Sequence, residues 1–170
     1  FYVDCGLSYN SLTQSATVTG LGHLEGLTVS ILGDGAVFPN QAVVSGSVTI
    51  TKYCNTIHVG LPYDSIIKTC RIEAGAVSAT TQGLIKRVYK SIVRLWRSLG
   101  CLVGNETTQD TIYFRDSSMA MDAPPSLFTG DKEVAFPVGW NKNAQIFIKQ
   151  AQPLPLNVLA IISKVEISGE

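Results

Sequence analysis

The histidines and acids of this chain are the first candidates for chemistry, and their local sequences favour structural roles. His23 lies in a glycine-rich turn, and His58 lies between apolar residues in a strand pattern. A nucleophilic triad needs a histidine beside a serine or cysteine, whereas a histidine in such surroundings is more often structural. The sequence also contains no GxSxG, P-loop or HExxH motif. We therefore predict no catalytic residue and no enzyme activity.

The four cysteines, Cys5, Cys54, Cys70 and Cys101, are far apart in the sequence. Zinc sites usually need closely spaced pairs of ligands, and the chain has neither a CxxC pair nor a histidine spaced to complete such a site. We expect free and mostly buried thiols, with a disulfide as the lesser alternative. No metal and no other cofactor is predicted.

Four acidic or amide positions have simple explanations. Asp131 and Glu133 would share one face of a strand, which suits an acid pair for sugar hydrolysis but is also common at a charged rim. Asp34 precedes a glycine, and this pair favours a tight hairpin turn. Asn105 begins a match to a glycosylation acceptor, which means little without a secretion signal.

One segment is strongly basic. Residues 74–105 contain no acid, although the whole chain has 13 acidic and 13 basic residues. Tyr89 and Trp96 lie among these bases, and such an arrangement can contact phosphate. The alternatives are a solvated face or salt bridges to an acidic neighbouring subunit, and overall neutrality favours these. The candidate strip, for contact with DNA or a neighbouring subunit, comprises Lys86, Arg87, Lys90, Arg94 and Arg97.

Composition indicates a globular chain with few surface charges. Charged residues make up 15% of the 170 residues and hydrophobic residues 45%, with a mean hydropathy of +0.21. These values exclude a disordered chain and a nucleic-acid binder that depends on net basic charge. No apolar run approaches the roughly 18 residues of a membrane span, so we expect none. Sparse charge and neutrality favour association with other subunits.

Short strands and frequent turns predict a mainly β chain. Residues 16–60 have turn signals every 8 to 12 residues or sooner, as in a small β-barrel or sandwich. The glycine-rich residues 20–26 permit at most one short helical turn, near 21–25. Residues 74–83 have the composition of a loop and mark the best internal boundary, and the last third is again rich in strand patterns.

The segment 84–99 is ambiguous. Its apolar residues recur with a helical period, its bases fall on the opposite face, and Gly100 would end the helix. As a strand, both of its faces would be mixed. The apolar set is Ile85, Val88, Ile92, Leu95, Trp96 and Leu99. Periodicity alone predicts a helix.

A series of short motifs runs along the chain. They are FYVDCGLSY at 1–9, GLGHLEG at 20–26, LGDG at 32–35, HVGLPY at 58–63, RSLG at 97–100 with VG at 103–104, PSLFTGD at 125–131, QPLPL at 152–156 and VLAI at 158–161. In this order and spacing they resemble the C-terminal region of tail structural proteins of tailed bacteriophages and prophages, of the tubular, nozzle or stabilisation type. The first part also resembles the small β-barrel named after the first catalytic-cysteine half-domain of ubiquitin-activating enzymes, where the name describes a fold and not ubiquitin chemistry.

The resemblance implies a fold of two parts. Residues 1–75 would form the small β-barrel module, its core at 16–60 inserted between flanking strands, with residues 1–10 pairing with strands after Val59. Residues 76–170 would form an antiparallel β-sandwich. In that sandwich 84–99 is a long strand, and we adopt the strand over the helix that its periodicity predicts. Because the chain starts with Phe1 inside a strand pattern, we expect a fragment or the ordered part of a longer protein.

The function implied by the resemblance is structural. We expect a non-enzymatic component of the phage tail, made in the host bacterial cytoplasm and located in the virion. It would form a homo-oligomeric ring with other tail proteins, supporting or lining the DNA-ejection conduit, with non-specific contact to DNA in passage.

Two other functions remain open. A carbohydrate-binding or adhesive module at a tail tip would use exposed aromatic faces, and the candidate platforms are Trp96, Trp140 and Tyr113. An enzyme such as a cell-wall hydrolase ranks last, because no acid pair or nucleophile stands out from structural use.

Overall fold

The protein is built almost entirely of antiparallel β-strands. The computed structural model describes residues 2–73, 81–136 and 139–168. Of the described residues, strands make up 59% and helix 2%, so the predicted mainly β class is confirmed. The one helical turn among these residues, a 3-10 helix at Gly22–Leu24, lies where the sequence permits it. The strands are β1 (Asp4–Thr19), β2 (Thr28–Gly33), β3 (Ala36–Ala42), β4 (Ser47–Leu61), β5 (Ser65–Lys68), β6 (Lys86–Ser98), β7 (Cys101–Gly104), β8 (Gln109–Ile112), β9 (Phe128–Ala135), β10 (Phe147–Gln150) and β11 (Val158–Ile167).

The chain divides into two compact units, each made of three segments. The first unit contains Phe1–Asp64, Arg115–Ser126 and Ala151–Pro155. The second contains Ser65–Phe114, Leu127–Gln150 and Leu156–Glu170. The boundary expected at 74–83 lies mostly outside the described residues.

The first unit holds a four-stranded antiparallel sheet in the order β1-β4-β2-β3. Residues at the start of β1 pair with the end of β4, from Asp4 opposite Leu61 to Asn10 opposite Thr56. The ladders of the described residues join the four strands in this order, and closure into a barrel stays a prediction. The core cluster of this unit comes from the strands, the glycine-rich turn and the loop after β3: Val18, Leu21, Leu24, Val29, Ile31, Val43, Val48, Ile50, Cys54, Ile57 and Val59.

The hairpin between β2 and β3 turns at Asp34-Gly35, as the sequence predicts. Both residues have positive φ, 46° and 84°, which a two-residue hairpin turn of the I′ type requires. The Asp34 carboxylate accepts hydrogen bonds from the backbone N–H groups of Asn55 and Thr56 at 3.0 and 2.8 Å. Asp34 therefore has a structural role that ties the turn to β4.

The second unit contains two antiparallel sheets that share one core, with strand orders β5-β10-β7-β8 and β11-β6-β9. Buried residues of both sheets belong to the same cluster, for example Val93 and Leu95 of β6 with Val103 of β7 and Ile148 of β10. This is the sandwich-like arrangement expected for the second part of the chain.

The ambiguous segment 84–99 is a strand, and two irregularities explain its helix-like period. Opposite β11, Val88 and Lys90 pair with the consecutive residues Val165 and Lys164, so Tyr89 is an extra residue in β6. A second register shift lies between Leu95 and Ser98. Each β-bulge moves the alternation of side chains by one residue. The buried positions are Lys86, Val88, Ser91, Val93, Leu95 and Ser98. Spacings of two and three residues therefore replace strict alternation and imitate a helical pattern.

Candidate interaction surface

The five bases of the predicted strip lie in different environments. Lys86 is only 1% exposed, and its Nζ donates a hydrogen bond of 2.9 Å to the carbonyl of Ile72. Its backbone N–H and C=O pair with Asn141, each at 2.8 Å. Lys86 is therefore part of the interior, and its ammonium group is not available to a partner.

Lys90 and Arg94 lie on the opposite side of β6 and form ion pairs with acids of β9. The Arg94 guanidinium donates two hydrogen bonds to the Asp131 carboxylate, both at 2.8 Å, and Lys90 pairs with Glu133. Hydrogen bonding from Arg94 lowers the pKa of Asp131, and hydrogen bonding from Lys90 lowers the pKa of Glu133. The two acids that the sequence places on one strand face thus neutralise two bases of the strip.

Arg87 and Arg97 are the bases of the strip that remain exposed, near opposite ends of β6. Within the described residues neither forms an ion pair. Arg97 is held at a positive φ of 42°, where its backbone N–H donates to the Thr129 hydroxyl at 3.0 Å. A continuous basic strip is thus reduced to two separated guanidinium groups.

We use the term outer face for the side chains of the β11-β6-β9 sheet that point away from the core. Ile92 and Ile162 are directly opposite each other on it, and Ile162 is exposed. Lys164 is opposite Lys90, and both lie near Glu133, whose pKa they help to lower. The outer face comprises Lys90, Ile92, Arg94, Trp96, Asp131, Glu133, Ile162 and Lys164. It combines two ion pairs and one further base, Lys164, with exposed apolar side chains.

The three aromatic residues expected to act as platforms are all exposed and all lie in the second unit. Trp96 is 51% exposed, Trp140 48% and Tyr113 80%. Leu159, at the start of β11, is also exposed. Large apolar side chains at the surface mark interaction sites when they cluster.

His58 contacts a serine that the sequence did not single out. Its Nδ1 shares a 2.7 Å hydrogen bond with the hydroxyl of Ser8, its cross-strand neighbour on β1. The two residues are 50 positions apart, so only the β1–β4 register brings them together. They line a cavity of about 190 Å³ in the first unit, with Leu7 and Leu32 among its apolar walls. No carboxylate among the described residues orients the other ring nitrogen. The contact between Ser8 and His58 is therefore a structural hydrogen bond between neighbouring strands.

The second histidine and the cysteines fit structural roles. His23 Nε2 donates to the carbonyl oxygen of Cys5 at 2.9 Å. All four cysteines are free thiols, as expected, but only Cys54 and Cys101 are buried, so the expectation of mostly buried thiols is wrong for Cys5 and Cys70. Burial raises the pKa of Cys101 to about 12, which keeps it protonated and unreactive.

Two further kinds of feature, a metal-binding cluster and a membrane-spanning helix, are absent from the described residues. No group of three or more His, Cys, Asp or Glu side chains in residues 2–73, 81–136 and 139–168 is arranged to hold a metal ion. In the same ranges no helix has the length and apolarity needed to cross a membrane. No family model matches the chain, and the search of curated proteins finds no match.

Proposed function

We propose that this chain is a non-enzymatic structural subunit of a bacteriophage tail, which assembles into a ring that supports or lines the DNA-ejection conduit. The ordered motifs from residue 1 to residue 161 support the assignment to phage tails. The outer face of the β11-β6-β9 sheet is the observation that carries the assignment to a ring subunit.

The outer face has the properties of a surface that another subunit covers. Its ion pairs, Lys90–Glu133 and Arg94–Asp131, are complete within one chain, so covering the face leaves only the Lys164 charge to be matched by an acid of the next subunit. Ile162 and Trp96 on the face, with Leu159 beside it, provide apolar area whose burial favours association. A contact between this face and a different surface of the next subunit is heterologous, and repeated heterologous contacts form a ring when the rotation between neighbouring subunits closes.

The charge distribution is also compatible with a passage for DNA. The affinity of a protein for the phosphate backbone rises with the number of phosphates that its Lys and Arg side chains neutralise. Lys90 and Arg94 are occupied by acids of the same sheet, which leaves Arg87 and Arg97 for phosphate contact. A surface with few free bases lets DNA slide past because it holds few phosphates at a time.

Native mass spectrometry and electron microscopy of the chain, over a range of protein concentrations, test this proposal. We expect closed oligomers of one defined subunit number. Ile162→Lys, which places a charge in the apolar part of the outer face, should abolish them, and the matched Ile162→Val should leave them intact. Purely monomeric behaviour of this chain and of the intact gene product, alone and with tail partners, would count against the proposal.

Exposure of the aromatic residues favours a second candidate, a carbohydrate-binding or adhesive module at a tail tip. Trp96, Trp140 and Tyr113 present rings to solvent in the second unit, as a sugar platform requires. Host polysaccharide should then change tryptophan fluorescence, with the response lost in Trp96→Ala or Trp140→Ala. An empty glycan array together with unchanged fluorescence would remove this candidate.

A further inference from the structure

A polar pocket of about 240 Å³ lies at one end of the β5-β10-β7-β8 sheet in the second unit. Phe147, the first residue of β10, is opposite Lys68 at the end of β5 and Gly104 at the end of β7. The turn that follows β7 and the segment that precedes β10 therefore meet at this end of the sheet. The residues that line the pocket come from these segments and strand ends: Lys68, 105–107, Asn141, Asn143, Gln145 and Phe147.

Two asparagines of the lining are each held by one half of the side-chain amide. Asn105 Oδ1 accepts hydrogen bonds from the backbone N–H and the hydroxyl of Thr107, at 2.9 and 3.0 Å. Asn141 Oδ1 accepts one from the backbone N–H of Asn143 at 2.9 Å. A backbone N–H only donates, so these contacts determine which amide atom is the oxygen. Within the described residues the NH2 groups of Asn105 and Asn141 form no hydrogen bond, and they are available as donors.

Gln145 is held by the other half of its amide. Its Nε2 donates a hydrogen bond of 2.9 Å to the carbonyl of Thr69, which leaves Oε1 as a free acceptor among the described residues. The side chain of Asn143 is exposed and forms no hydrogen bond to any described residue. The pocket therefore offers oriented donors and an oriented acceptor to one ligand.

The charges in the pocket cancel. Lys68 Nζ lies 2.7 Å from Glu106 Oε2, and no other charged side chain of the described residues lines the pocket. Phe147 adds an apolar patch but is only 8% exposed, which is too little for a nucleobase to stack on it. An anion, a cation and a nucleobase each lack the partner that they need here, whereas a neutral ligand rich in hydroxyl groups has partners.

We infer that this pocket binds one neutral sugar ring, a pyranose unit, through its hydroxyl groups. A hydroxyl both donates and accepts hydrogen bonds, so neighbouring hydroxyls can accept from Asn105 or Asn141 and donate to Gln145. The anchored amides lose little side-chain freedom on binding, which lowers the cost of forming the complex. Pockets for drug-sized ligands enclose about 300–1,000 Å³, so a pocket of about 240 Å³ suits a single ring.

The inference goes beyond the proposed function, because the pocket can hold a sugar whether or not the chain forms a ring. It also differs from the carbohydrate module that would use exposed aromatic faces. None of the three platforms, Trp96, Trp140 and Tyr113, lines this pocket. Binding here depends on amide hydrogen bonds and not on a stacked tryptophan, so variants can separate the two modes.

NMR titration of the full chain with the methyl pyranosides of glucose, galactose and mannose tests the inference. At least one glycoside should shift the side-chain NH2 signals of Asn105 and Asn141 saturably. A Kd on the order of 1–10 mM is expected for a ligand of about 12 non-hydrogen atoms. Sorbitol, an open-chain polyol with similar hydroxyl groups, should bind at least about fivefold more weakly because it loses internal rotations on binding.

Protein variants complete the test. Asn143→Ala should weaken binding of the glycoside about two- to tenfold, as expected for one lost hydrogen bond, and should leave the midpoint of thermal unfolding unchanged. Asn10→Ala, at an exposed position of β1, is the matched control and should leave the affinity unchanged. Three results would overturn the inference: no saturable shift with any glycoside, a glucuronide that binds more tightly than every neutral glycoside, or binding that is lost in Trp96→Ala but kept in Asn143→Ala.

Discussion

Adjacent residues of β6 have opposite roles although both are basic. Lys86 is buried with its ammonium group on the carbonyl of Ile72, and Arg87 is exposed. Alternation along the strand is sufficient to separate them. Charge alone therefore does not identify a contact residue, and the two positions should respond very differently to truncation.

We predict that Lys86→Ala lowers the free energy of unfolding by about 2–4 kcal/mol, because it leaves a cavity and an unpaired carbonyl at Ile72. Arg87→Ala should change it by about 0.5 kcal/mol or less, as is usual for an exposed residue. Urea titration measures both values. Equal effects of the two variants would show that Lys86 is not held in the interior.

The Arg94–Asp131 pair gives a prediction about pH. Because the folded-state pKa of Asp131 lies below its usual 3.8, the pair stabilises the fold above that value. The contribution is lost as the pH falls through the lowered pKa. A double-mutant cycle of Arg94→Met and Asp131→Asn should show favourable coupling near neutral pH that declines in acid and in high salt. Coupling that stays constant as the folded protein is acidified would contradict this.

At the scale of elements, the bulge at Tyr89 decides which residues of β6 reach the core. Val88 and Ser91 are both buried although three positions separate them. Tyr89 takes up the extra position, and its carbonyl accepts a hydrogen bond of 3.2 Å from the N–H of Phe136. The bulge thus connects two stretches of regular alternation.

We predict that deletion of Tyr89 costs little, about 1 kcal/mol for the lost hydrogen bond, because Val88 and Ser91 then fall on one face by simple alternation. Deletion of Ile92 is the matched control. It puts either Ser91 or Val93 on the wrong face and should unfold the second unit. The midpoint temperatures of thermal unfolding of the two deletion variants provide the comparison. Similar losses in both would mean that Tyr89 is not an extra residue.

Local signals in the sequence predicted local features, and longer-range features needed the register of distant strands. The Asp34-Gly35 turn and the helical turn at Gly22–Leu24 follow from residue types alone. Periodicity alone predicted a helix for 84–99 because β-bulges shift the alternation of side chains in this strand. The positions of these bulges depend on the strands that pair with β6. The Arg94–Asp131 pair joins residues 37 positions apart, and the Ser8–His58 hydrogen bond joins residues 50 positions apart. Such contacts have no signature within one segment.

At the scale of the whole molecule, the first unit is almost complete within residues 1–64. Its four strands and every residue of its buried cluster lie there. The later segments of this unit add contacts such as the exposed Lys52–Asp122 ion pair at 2.9 Å, which contributes little stability. The second unit, by contrast, takes strands from residues 65 to 167.

We predict that fragments 1–64 and 65–170 each fold. Circular dichroism should show β structure in both, with cooperative urea unfolding. A fragment of residues 1–114 is the control: its first unit should fold, and its remainder should be unfolded because β9, β10 and β11 are missing. Unfolded 1–64 would show that the later segments are essential to the first unit.

The path of the chain also determines an order of events during synthesis on the ribosome. All strands of the first unit are synthesised early. In the second unit, β6 is synthesised before both of its pairing partners, β9 and then β11. Ser98 bonds to Asn157, 59 residues further along the chain. Until then the apolar side chains of β6 have no complete core, and two edges of the strand are open. The nascent second unit is therefore the stage most exposed to aggregation, and rapid completion of the chain protects it.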